Sequence, residues 1–379
     1  MASLAPRSLW TDMIRSREQP SYPTIGDVAV AAGVSPATAA RALGGYGRVS
    51  AAVRARVLAE AERVGYRPNS LARSMITGTT HTIGVVIADI ENPFFARAVR
   101  GIADTAHAAG YEVILTNSDE RLETERAAVG VLYQKRVDGL IVAPASNTDV
   151  AHLAELVERR VPVVFLDRGV PSIKADAVVV DSQRAAQGAV SHLIRLGHRR
   201  IAIVAESDTA LSAEELKGAR FGPADVFPSL QRLIGWAAAY SAAGLPVLDE
   251  MILRCDYDRT AVAGETAAAL RRGDPPTAIF TTDGIMTLGA VDGIVDAGRA
   301  IPDDVSIVAF DDLDWTTLVR PQLTVVAQPV YELGAAATTR LLDRLAGDDG
   351  PPRTVVLDTS FIVRGSTGRP AQAIPGRAV

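Results

Sequence analysis

The chain has 379 residues, of which 48% are hydrophobic and 22% are charged, a composition typical of a folded globular protein with two or three domains. A single cysteine, Cys255, excludes an intramolecular disulfide framework and leaves at most one thiolate for any metal site. No apolar stretch is long enough to span a membrane, and the N-terminus lacks the apolar core of a signal peptide, so we expect a cytoplasmic protein.

The net charge of −5 conceals an asymmetry along the chain. Residues 1–78 contain ten arginines and five acidic residues, which gives +5, whereas the other 301 residues contain 29 basic and 39 acidic side chains, which gives −10. A basic N-terminal segment on an acidic remainder indicates that the segment meets a polyanion. A charged stretch can also be a solvated surface, so the sequence motif of this segment has to decide.

The basic segment contains a candidate helix-turn-helix. Residues 1–22 show no useful periodicity and are interpreted as a mobile leader. From Thr24 onward apolar residues recur on one helical face, and Gly33 then permits a left-handed turn. Ser35 is a favourable N-cap and Pro36 suits the first position of a second short helix.

A third helix is predicted from about Ala51 to Val64. It is capped by Ser50, and its expected buried residues are Val53, Val57, Leu58 and Ala61. The three helices predict a DNA-binding domain over residues 23–66. The alternative is a plain three-helix subdomain that does not bind DNA.

In a helix-turn-helix the second helix enters the major groove, and its N-terminal residues reach the base edges. That geometry places Pro36, Ala37 and Arg41 at the bases, where an arginine can bind guanine through two hydrogen bonds. Short hydroxyl residues suit phosphate contacts, which set the register of binding; they are Thr24, Ser35 and Thr38.

From Thr82 the chain alternates apolar strands with amphipathic helices, in two successive runs. The predicted strands are IGVVIAD, YEVILTN, GLIVAP, PVVFLD and AVVVD, then IAIVAE, ILRCD, AIFTT and VSIVAF. This alternation predicts an α/β protein with two doubly wound parallel-sheet lobes. Ligands bind such sheets at the carboxyl ends of the strands, which here should face a shared cleft.

The residues that follow these strands are therefore candidates for ligand binding. Carboxylates and arginines donate or accept charge-assisted hydrogen bonds to hydroxyls, and aromatic rings stack on sugars or bases. The candidates are Asp89, Asn92, Phe94, Phe95, Asp167, Arg168, Tyr257, Thr282 and Asp311. The structural alternatives are loop capping for Asp89 and Asp167, and a core position for Phe94 or Phe95.

A series of longer motifs runs in order from Thr24 to Thr367. It comprises TIGDVAVAAGVSPATAARAL, GRVS, GYRPNSLARSM, TIGVVIADIENPFF, RRVDGLIVAP, HLIRLGHRRIAIV, RLIGW, PTAIFTTDGIMTLGA, IPDDVSIVAFDDL, PQLTVVAQP and FIVRGST. The series resembles the lactose-repressor (LacI/GalR) family of bacterial transcription factors. The resemblance implies a helix-turn-helix head, a hinge that becomes helical on operator DNA, and a two-lobed effector domain similar to periplasmic binding proteins.

The resemblance also implies roles for residues of the head and hinge. Arg48 matches a DNA-contacting position after the recognition helix, and Met75 matches the apolar wedge that kinks the minor groove, where leucine is commoner. Gly26 and Ala40 replace larger or hydroxyl residues that often touch the DNA backbone. The complete predicted DNA-binding set is Thr24, Ser35, Pro36, Ala37, Thr38, Arg41, Arg48, Ser50, Asn69, Arg73 and Met75. The alternative for the hinge is a linker without DNA contacts.

For the cleft, the resemblance adds Arg232 and Gln328 to the effector-binding candidates. The Asp167–Arg168 pair looks like the pair that binds pentose hydroxyls in periplasmic ribose-binding proteins. Thr282 stands where asparagine is common, so ligand specificity should differ, and Asp283 resembles a helix-capping position.

The segment Glu206–Gln231 is longer than the usual family link, and we consider an effector lid and a surface insertion as its two interpretations.

These observations predict the following organisation. The parts are a leader 1–22, a helix-turn-helix domain 23–66, a hinge 67–80, an N-terminal lobe 81–182 and 328–354, a C-terminal lobe 183–327 and 355–367, and a tail 368–379. The tail contains no leucine heptad, so we expect a homodimer without a tetramerising segment.

Two other function classes fit the sequence less well. A dehydrogenase would need G-x-G-x-x-G after the first strand, but ADIENPFFARAV contains no glycine; nucleophile-elbow, phosphate-loop and zinc motifs are also missing from the sequence. We therefore expect no enzyme, cofactor or metal. The second class is a sugar-binding transport protein, which would need export. The prediction is a repressor that binds pseudo-palindromic operator DNA under control of a small polar effector, a monosaccharide in preference to a purine.

Overall fold

The structure is a computed structural model, and it describes residues 23–67, 78–206 and 211–371. The chain divides into two compact units, residues 1–80 and 81–379. The leader and most of the hinge lie outside the described residues, and so do the predicted DNA contacts of Asn69, Arg73 and Met75.

The first unit contains three helices, α1 (Ile25–Ala32), α2 (Pro36–Gly44) and α3 (Ala51–Arg63). Each begins after a hydroxyl residue whose side chain accepts a hydrogen bond from a backbone N–H of the first turn; these caps are Thr24, Ser35 and Ser50. The turn between α1 and α2 passes through Gly33 in the left-handed region, at φ +61°. The sequence signals for these helix starts therefore correspond to actual caps.

Small side chains allow the three helices to pack closely. The buried residues of this unit are Val28, Ala29, Ala32, Ala39, Ala42, Val57 and Ala61. The prediction that Leu58 belongs to this core is wrong, because its side chain is 49% exposed. Val57 and Ala61 lie one turn apart and fill the buried stripe of α3, and Leu58 is rotated about 100° away from Val57 on the helix.

The second unit contains twelve strands and nine α-helices within the described residues. The strands are β1 (Thr82–Ile87), β2 (Glu112–Asn117), β3 (Gly139–Val142), β4 (Val163–Leu166), β5 (Asp176–Val180), β6 (Ile201–Glu206), β7 (Ile252–Cys255), β8 (Ala278–Thr281), β9 (Ser306–Phe310), β10 (Thr324–Ala327), β11 (Thr354–Leu357) and β12 (Ser360–Ile362). The helices are α4 (Pro93–Ala108), α5 (Leu122–Gln134), α6 (Ala151–Glu158), α7 (Ser182–Leu196), α8 (Ala213–Gly218), α9 (Pro228–Ala242), α10 (Arg259–Leu270), α11 (Gly284–Asp296) and α12 (Val330–Leu345). No described helix is both long and apolar enough to cross a lipid bilayer.

The strands form two six-stranded sheets with corresponding orders. The first sheet runs β11-β5-β4-β3-β1-β2 and is parallel throughout, and the second runs β12-β10-β9-β8-β6-β7. In the second sheet only β12 is antiparallel, where it pairs with β10. In each sheet the strands that follow the first one are added on opposite sides of it: β2 and β3 flank β1, and β7 and β8 flank β6. Ligand crevices of open α/β sheets form where the strand order changes side in this way.

The chain passes between the two lobes three times, after β5, after β10 and after β11. The predicted end of the N-terminal lobe at residue 354 is wrong, because all of Thr354–Leu357 belongs to the first sheet. The apolar residues of this strand extend that sheet in parallel register, with Val355 beside Val178 of β5. The last passage therefore falls between Leu357 and Ser360, three residues later than predicted.

Two glycines bring α4 and α12 of the N-terminal lobe into close contact. A Cβ at Gly101 would lie 2.1 Å from the Tyr331 carbonyl oxygen, and a Cβ at Gly334 would lie 2.0 Å from the Ala98 carbonyl oxygen. Both distances are far below van der Waals contact, so only glycine fits at these two positions without moving the helices.

Candidate effector site and DNA-binding helix

The helix α2 presents a small exposed surface with two small residues at its start and one arginine in its last turn. Pro36, Ala37 and Arg41 are exposed, and the Nε of Arg41 donates a 3.1 Å hydrogen bond to the Ala37 carbonyl. This contact holds the arginine stem along the helix and leaves the two terminal guanidinium nitrogens for other acceptors. Arg48 is also exposed in the segment that follows the helix.

The predicted phosphate-binding hydroxyls are all part of helix starts in the described structure. Thr24 and Asp27 form a capping box, in which hydrogen bonds from Thr24 lower the pKa of the Asp27 carboxyl. The hydroxyls of Ser35 and Thr38 lie 2.9 Å apart, and Ser50 accepts from the Val53 amide. These side chains therefore stabilise the helix starts of this unit.

A cavity of about 690 Å³ lies between the two lobes of the second unit. Ten of the eleven predicted effector-binding residues line it, namely Asp89, Asn92, Phe94, Phe95, Asp167, Arg168, Arg232, Tyr257, Asp311 and Gln328. All of them except Arg232 come shortly after the carboxyl end of a strand, and both lobes contribute. The cavity thus occupies the position that the strand order predicts for a ligand site.

Two aspartates occupy equivalent positions in the two lobes. Asp167 follows β4 and Asp311 follows β9, the third strand from the corresponding edge of each sheet. Both have left-handed backbone conformations, with φ +67° and +78°, and both amides donate a 2.9 Å hydrogen bond to the adjacent strand. Such conformations are uncommon for residues other than glycine and tend to occur at functional sites.

Arg168 is held in place by acidic neighbours within its own lobe. Its two terminal nitrogens each donate a 2.6 Å hydrogen bond to Glu120, and its Nε lies 3.4 Å from the Asp167 carboxylate. Burial alone would lower the pKa of Arg168, but the hydrogen bonds and charge of Glu120 raise it above its ordinary value. Most of the Arg168 donors are therefore already bound to acceptors of the protein itself.

Arg232 has fewer partners than Arg168 and lies in the second lobe. Its guanidinium carbon is 3.7 Å from the centre of the Phe310 ring, and one terminal nitrogen donates to the Thr282 carbonyl. Its Nε is buried and makes no hydrogen bond within the described residues. Burial lowers the pKa of Arg232, although the nearby Asp311 opposes this shift.

Asp311 accepts a 2.6 Å hydrogen bond from the Gln328 amide, which brings two predicted ligand-binding residues into direct contact. Burial raises the pKa of Asp311 and also that of Asp167, and neighbouring arginines only partly oppose the change. The carboxyl groups of Asp167 and Asp311 are therefore poorly solvated. A ligand with hydroxyl donors can replace the hydrogen bonds that water would give them.

Thr282 does not line the cavity, in contrast to its predicted place in the site. Its side chain is buried and its hydroxyl donates a 3.1 Å hydrogen bond to the Val204 carbonyl of β6. Asp283 caps α11, as predicted, by accepting from the Ile285 and Met286 amides, and it also lines the cavity. The residue next to the predicted one is thus the one that reaches the site.

Sequence reasoning missed further lining residues of two kinds. One kind also follows strand ends and could have been found by the same rule; these are Asn117, Asp119, Glu120, Ala145 and Glu206, with Ile90 and Glu91 beside Asp89. The other kind comes from the junction between the long segment and α9, and its members are Phe227, Pro228 and Ser229. No periodicity or strand-end position marks this second group in the sequence.

Replacing Asp311 by Asn tests the effect of burial on this carboxyl. A raised native pKa means that the wild-type protein loses stability as the pH rises from the unfolded-state value, about 3.9, through the native value. Asparagine does not titrate, so the free energy of unfolding of Asp311→Asn minus that of the wild type should be larger at pH 7 than at pH 4. Urea unfolding of both ligand-free proteins at the two pH values measures this difference, and a constant difference would contradict the prediction.

Comparison with known proteins adds the decisive observation. A model of the periplasmic binding proteins and sugar binding domain of the LacI family matches residues 80–364, and a model of the bacterial regulatory proteins of the lacI family matches residues 24–69. The chain belongs to the LacI family. Its α/β effector unit and helix-turn-helix head are therefore both family features, as the sequence motifs indicated.

Individual LacI-family proteins are similar over nearly their whole length. Catabolite control protein A of Priestia megaterium is 36% identical over 333 residues, which cover 88% of this chain and 95% of that protein. The lac repressor dimer bound to operator and the anti-inducer ONPF has a TM-score of 0.77 at 25% identity, covering 92% of this chain and all of that one. A LacI-family transcriptional regulator from Enterococcus faecium with bound ribose has a TM-score of 0.64 at 29% identity, covering 76% and 99%.

The LacI-family assignment establishes the broad function. The chain is a DNA-binding transcriptional regulator with a sugar-binding type of effector domain, from a family whose repressors bind operator DNA, form dimers and bind small effectors. The matched relatives are transcriptional regulators and not enzymes.

Proposed function

We propose that this protein is a cytoplasmic repressor whose operator affinity is controlled by a neutral monosaccharide bound in the cavity between the two lobes. The observation that carries the proposal is the convergence of Asp167 and Arg168 from one lobe with Arg232 and Asp311 from the other on one cavity, which Gln328, directly after β10, also lines. Carboxylate, guanidinium and amide groups on opposite sides suit a small ligand with hydroxyls on several edges.

The charges around the cavity favour a neutral ligand over an anionic one. Eight acidic residues line it, against the two arginines Arg168 and Arg232. Glu120 binds Arg168 through two hydrogen bonds, so that arginine offers little charge to an incoming anion. A sugar phosphate or a sugar acid would enter a site with an excess of negative charge, which like-charge repulsion disfavours.

The aromatic residues favour a sugar over a purine. Phe94 and Phe95 line the cavity but are only 7% and 4% exposed, and they pack edge-to-face with each other in the core of the N-terminal lobe. A purine would need a flat ring face opposite another flat surface. Of the predicted aromatic residues, only Tyr257 is exposed, at 44%. Phe227 also lines the cavity, but its ring is already in contact with the Arg168 guanidinium.

For DNA, we propose that α2 reads bases through Pro36, Ala37 and Arg41, with Arg48 as a further contact. We propose Met75 as the hinge residue that enters the minor groove and Arg73 as a contact to phosphate or to the groove. Effector binding would change the arrangement of the lobes and thereby the tendency of the hinge to become helical on DNA. The effector site and the DNA site would then be linked by a coupling free energy.

The effector proposal is tested by a thermal-shift screen of the full-length protein. Neutral pentoses and hexoses should raise the melting temperature, because ligand binding stabilises the folded state. Sugar phosphates, sugar acids and purines should have no effect. Any sugar that binds should then change the protein concentration needed to half-saturate operator DNA. Stabilisation by an anionic ligand alone would overturn the proposal.

Arg41→Ala should weaken operator binding by about 1–3 kcal/mol and relax base preference at one position in each half-site, because the arginine is the only long polar side chain among the proposed base-reading residues. Arg56→Ala is the matched control, since Arg56 is exposed on α3 of the same unit and lies outside the recognition helix. Binding of both variants to the operator and to single-base variants of it is measured at fixed salt. Equal affinity and selectivity of the two variants would refute the assignment of α2.

A further inference from the structure

The described part of the long segment before α9 begins at residue 211 and is anchored to the C-terminal lobe around α8. Ser212 and Glu215 form a capping box at α8, and the Ala213 amide donates a 2.7 Å hydrogen bond to Asp249. Ala213 and Leu216 are 2% and 1% exposed and belong to the core of this lobe. Residues 211–218 are therefore a folded part of the lobe and not a loose surface insertion.

Its second half, residues 219–229, is shaped by internal hydrogen bonds. The side-chain amide of Gln231, on α9, donates to the carbonyls of Pro223 and Val226 at 2.7 and 2.8 Å, and Gln231 is only 2% exposed. The Gly222 amide donates a 2.6 Å hydrogen bond to the Asp225 carboxylate. These bonds fix a stretch at one end of the cavity that is non-helical up to Phe227 and continues into the first turn of α9.

The same stretch contacts the opposite lobe at two points. A Cβ at Gly169 of the N-terminal lobe would lie 2.3 Å from the Ala224 carbonyl oxygen and 2.6 Å from the Ala224 Cβ, so the two backbones are in close contact. Ala224 packs against the apolar cluster of that lobe. The ring of Phe227 lies 4.7 Å from the guanidinium carbon of Arg168, within the range of a cation–π interaction.

We propose that residues 219–229 form a strap that joins the two lobes across the effector cavity, and that Phe227 limits the size of the sugar the cavity accepts. The second part rests on the proposed function. Phe227, Pro228 and Ser229 form part of the cavity lining, so the strap is a wall of the site as well as a link between the lobes. Glu120 holds the Arg168 guanidinium through two hydrogen bonds. The Phe227 ring packs against this guanidinium and is positioned by it.

The strap can be tested without any ligand by hydrogen–deuterium exchange of the full-length protein. Gly169→Ala inserts a methyl group against Ala224, and we expect about a tenfold faster exchange of the amides of residues 219–227. Gly273→Ala is the control, because Gly273 is a loop glycine with nothing within 4 Å of its Cβ position. Phe227→Ala should also accelerate exchange in the strap, and it leaves Gly169 untouched.

Unchanged exchange of residues 219–227 in both Gly169→Ala and Phe227→Ala would overturn the strap. So would a change confined to residues 167–170, since it would show that the segment is held by its own lobe alone.

The size limit is tested by thermal shift with D-ribose, D-glucose and the disaccharide cellobiose. The wild type should be stabilised by a monosaccharide and not by cellobiose. Phe227→Ala should bind the monosaccharide about 3- to 10-fold more weakly, because an aromatic contact is lost, and should gain binding of cellobiose. Phe221→Ala is the matched control, since Phe221 belongs to the same segment but is 45% exposed and outside the cavity lining.

The two parts of the proposal fail in different ways. Equal binding of cellobiose by the wild type and Phe227→Ala would overturn the size limit. If none of the three sugars binds either protein, the sizing role of Phe227 and the sugar class of the proposed function are both wrong. The exchange measurements would still decide the strap, because they need no ligand.

Discussion

Asp311→Ala is expected to weaken effector binding about 10- to 150-fold, because loss of one partner from a buried charged hydrogen bond costs about 1.5–3 kcal/mol. Asp311 is 9% exposed, lines the cavity and accepts from Gln328. Its removal also leaves the partly satisfied Arg232 without its strongest opposing charge. The site would then lose both a hydroxyl acceptor and the orientation of a neighbouring donor.

The same substitution should leave operator binding without effector nearly unchanged, because the helix-turn-helix belongs to a separate compact unit. The measurement is a titration of operator DNA with protein, with and without the sugar found in the screen. Asp303→Ala serves as control, since Asp303 is an exposed aspartate of the same lobe outside the cavity. A wild-type response of Asp311→Ala to effector would place the ligand elsewhere. Loss of effector-free operator binding would make Asp311 a structural residue.

Gly334→Ala should lower the free energy of unfolding by about 3 kcal/mol, the upper part of the usual range for overpacking a core. The new methyl group would lie 2.0 Å from the Ala98 carbonyl oxygen and 2.9 Å from its carbon. These are backbone atoms of α4, so relief requires the two helices to separate. That separation would weaken the packing of Leu333 and Ala337 in the lobe core.

Gly130→Ala is the matched control for this effect. Gly130 is also a helical glycine of the N-terminal lobe, but nothing lies within 4 Å of its Cβ position. Alanine there should stabilise the protein by about 0.5–1 kcal/mol, because it lowers the entropy of the unfolded chain without a clash. Chemical unfolding of the three proteins distinguishes the two glycines, and similar stability of both variants would mean that α4 and α12 are not packed so closely.

The sequence predicts most of the cavity because strand ends are recognisable in it. An apolar run that stops at a polar residue marks the carboxyl end of a buried strand, and parallel strands bring all such ends to one edge of the sheet. Asp89, Asp167 and Asp311 were found in this way, and the same rule would have found Asn117 and Glu206.

Other features depend on contacts that are distant in sequence. Phe227 reaches the cavity only because the segment around it folds back on Arg168 of the other lobe. Thr282 and Asp283 are adjacent, and the strand register decides which of the two faces the cavity. Leu58 fits the helical period of α3 but lies beyond the width of the buried stripe, which is set by the small residues of the neighbouring helices. Each of these outcomes required the packing partner to be known.

The late return of the chain to the N-terminal lobe has a consequence for the order of folding during synthesis. Strands β1–β5 leave the ribosome early, but α12 and β11, which complete that lobe, are made about 150 residues later. Until then the groove beside Gly101 and the outer edge of β5 have no partner, whereas most of the C-terminal lobe is a continuous stretch. The nascent N-terminal lobe therefore exposes an apolar helix face and an unpaired strand edge while the rest is translated, a state prone to association with other chains. The N-terminal lobe is started first but receives its last strand only at β11, directly before β12 completes the sheet of the C-terminal lobe.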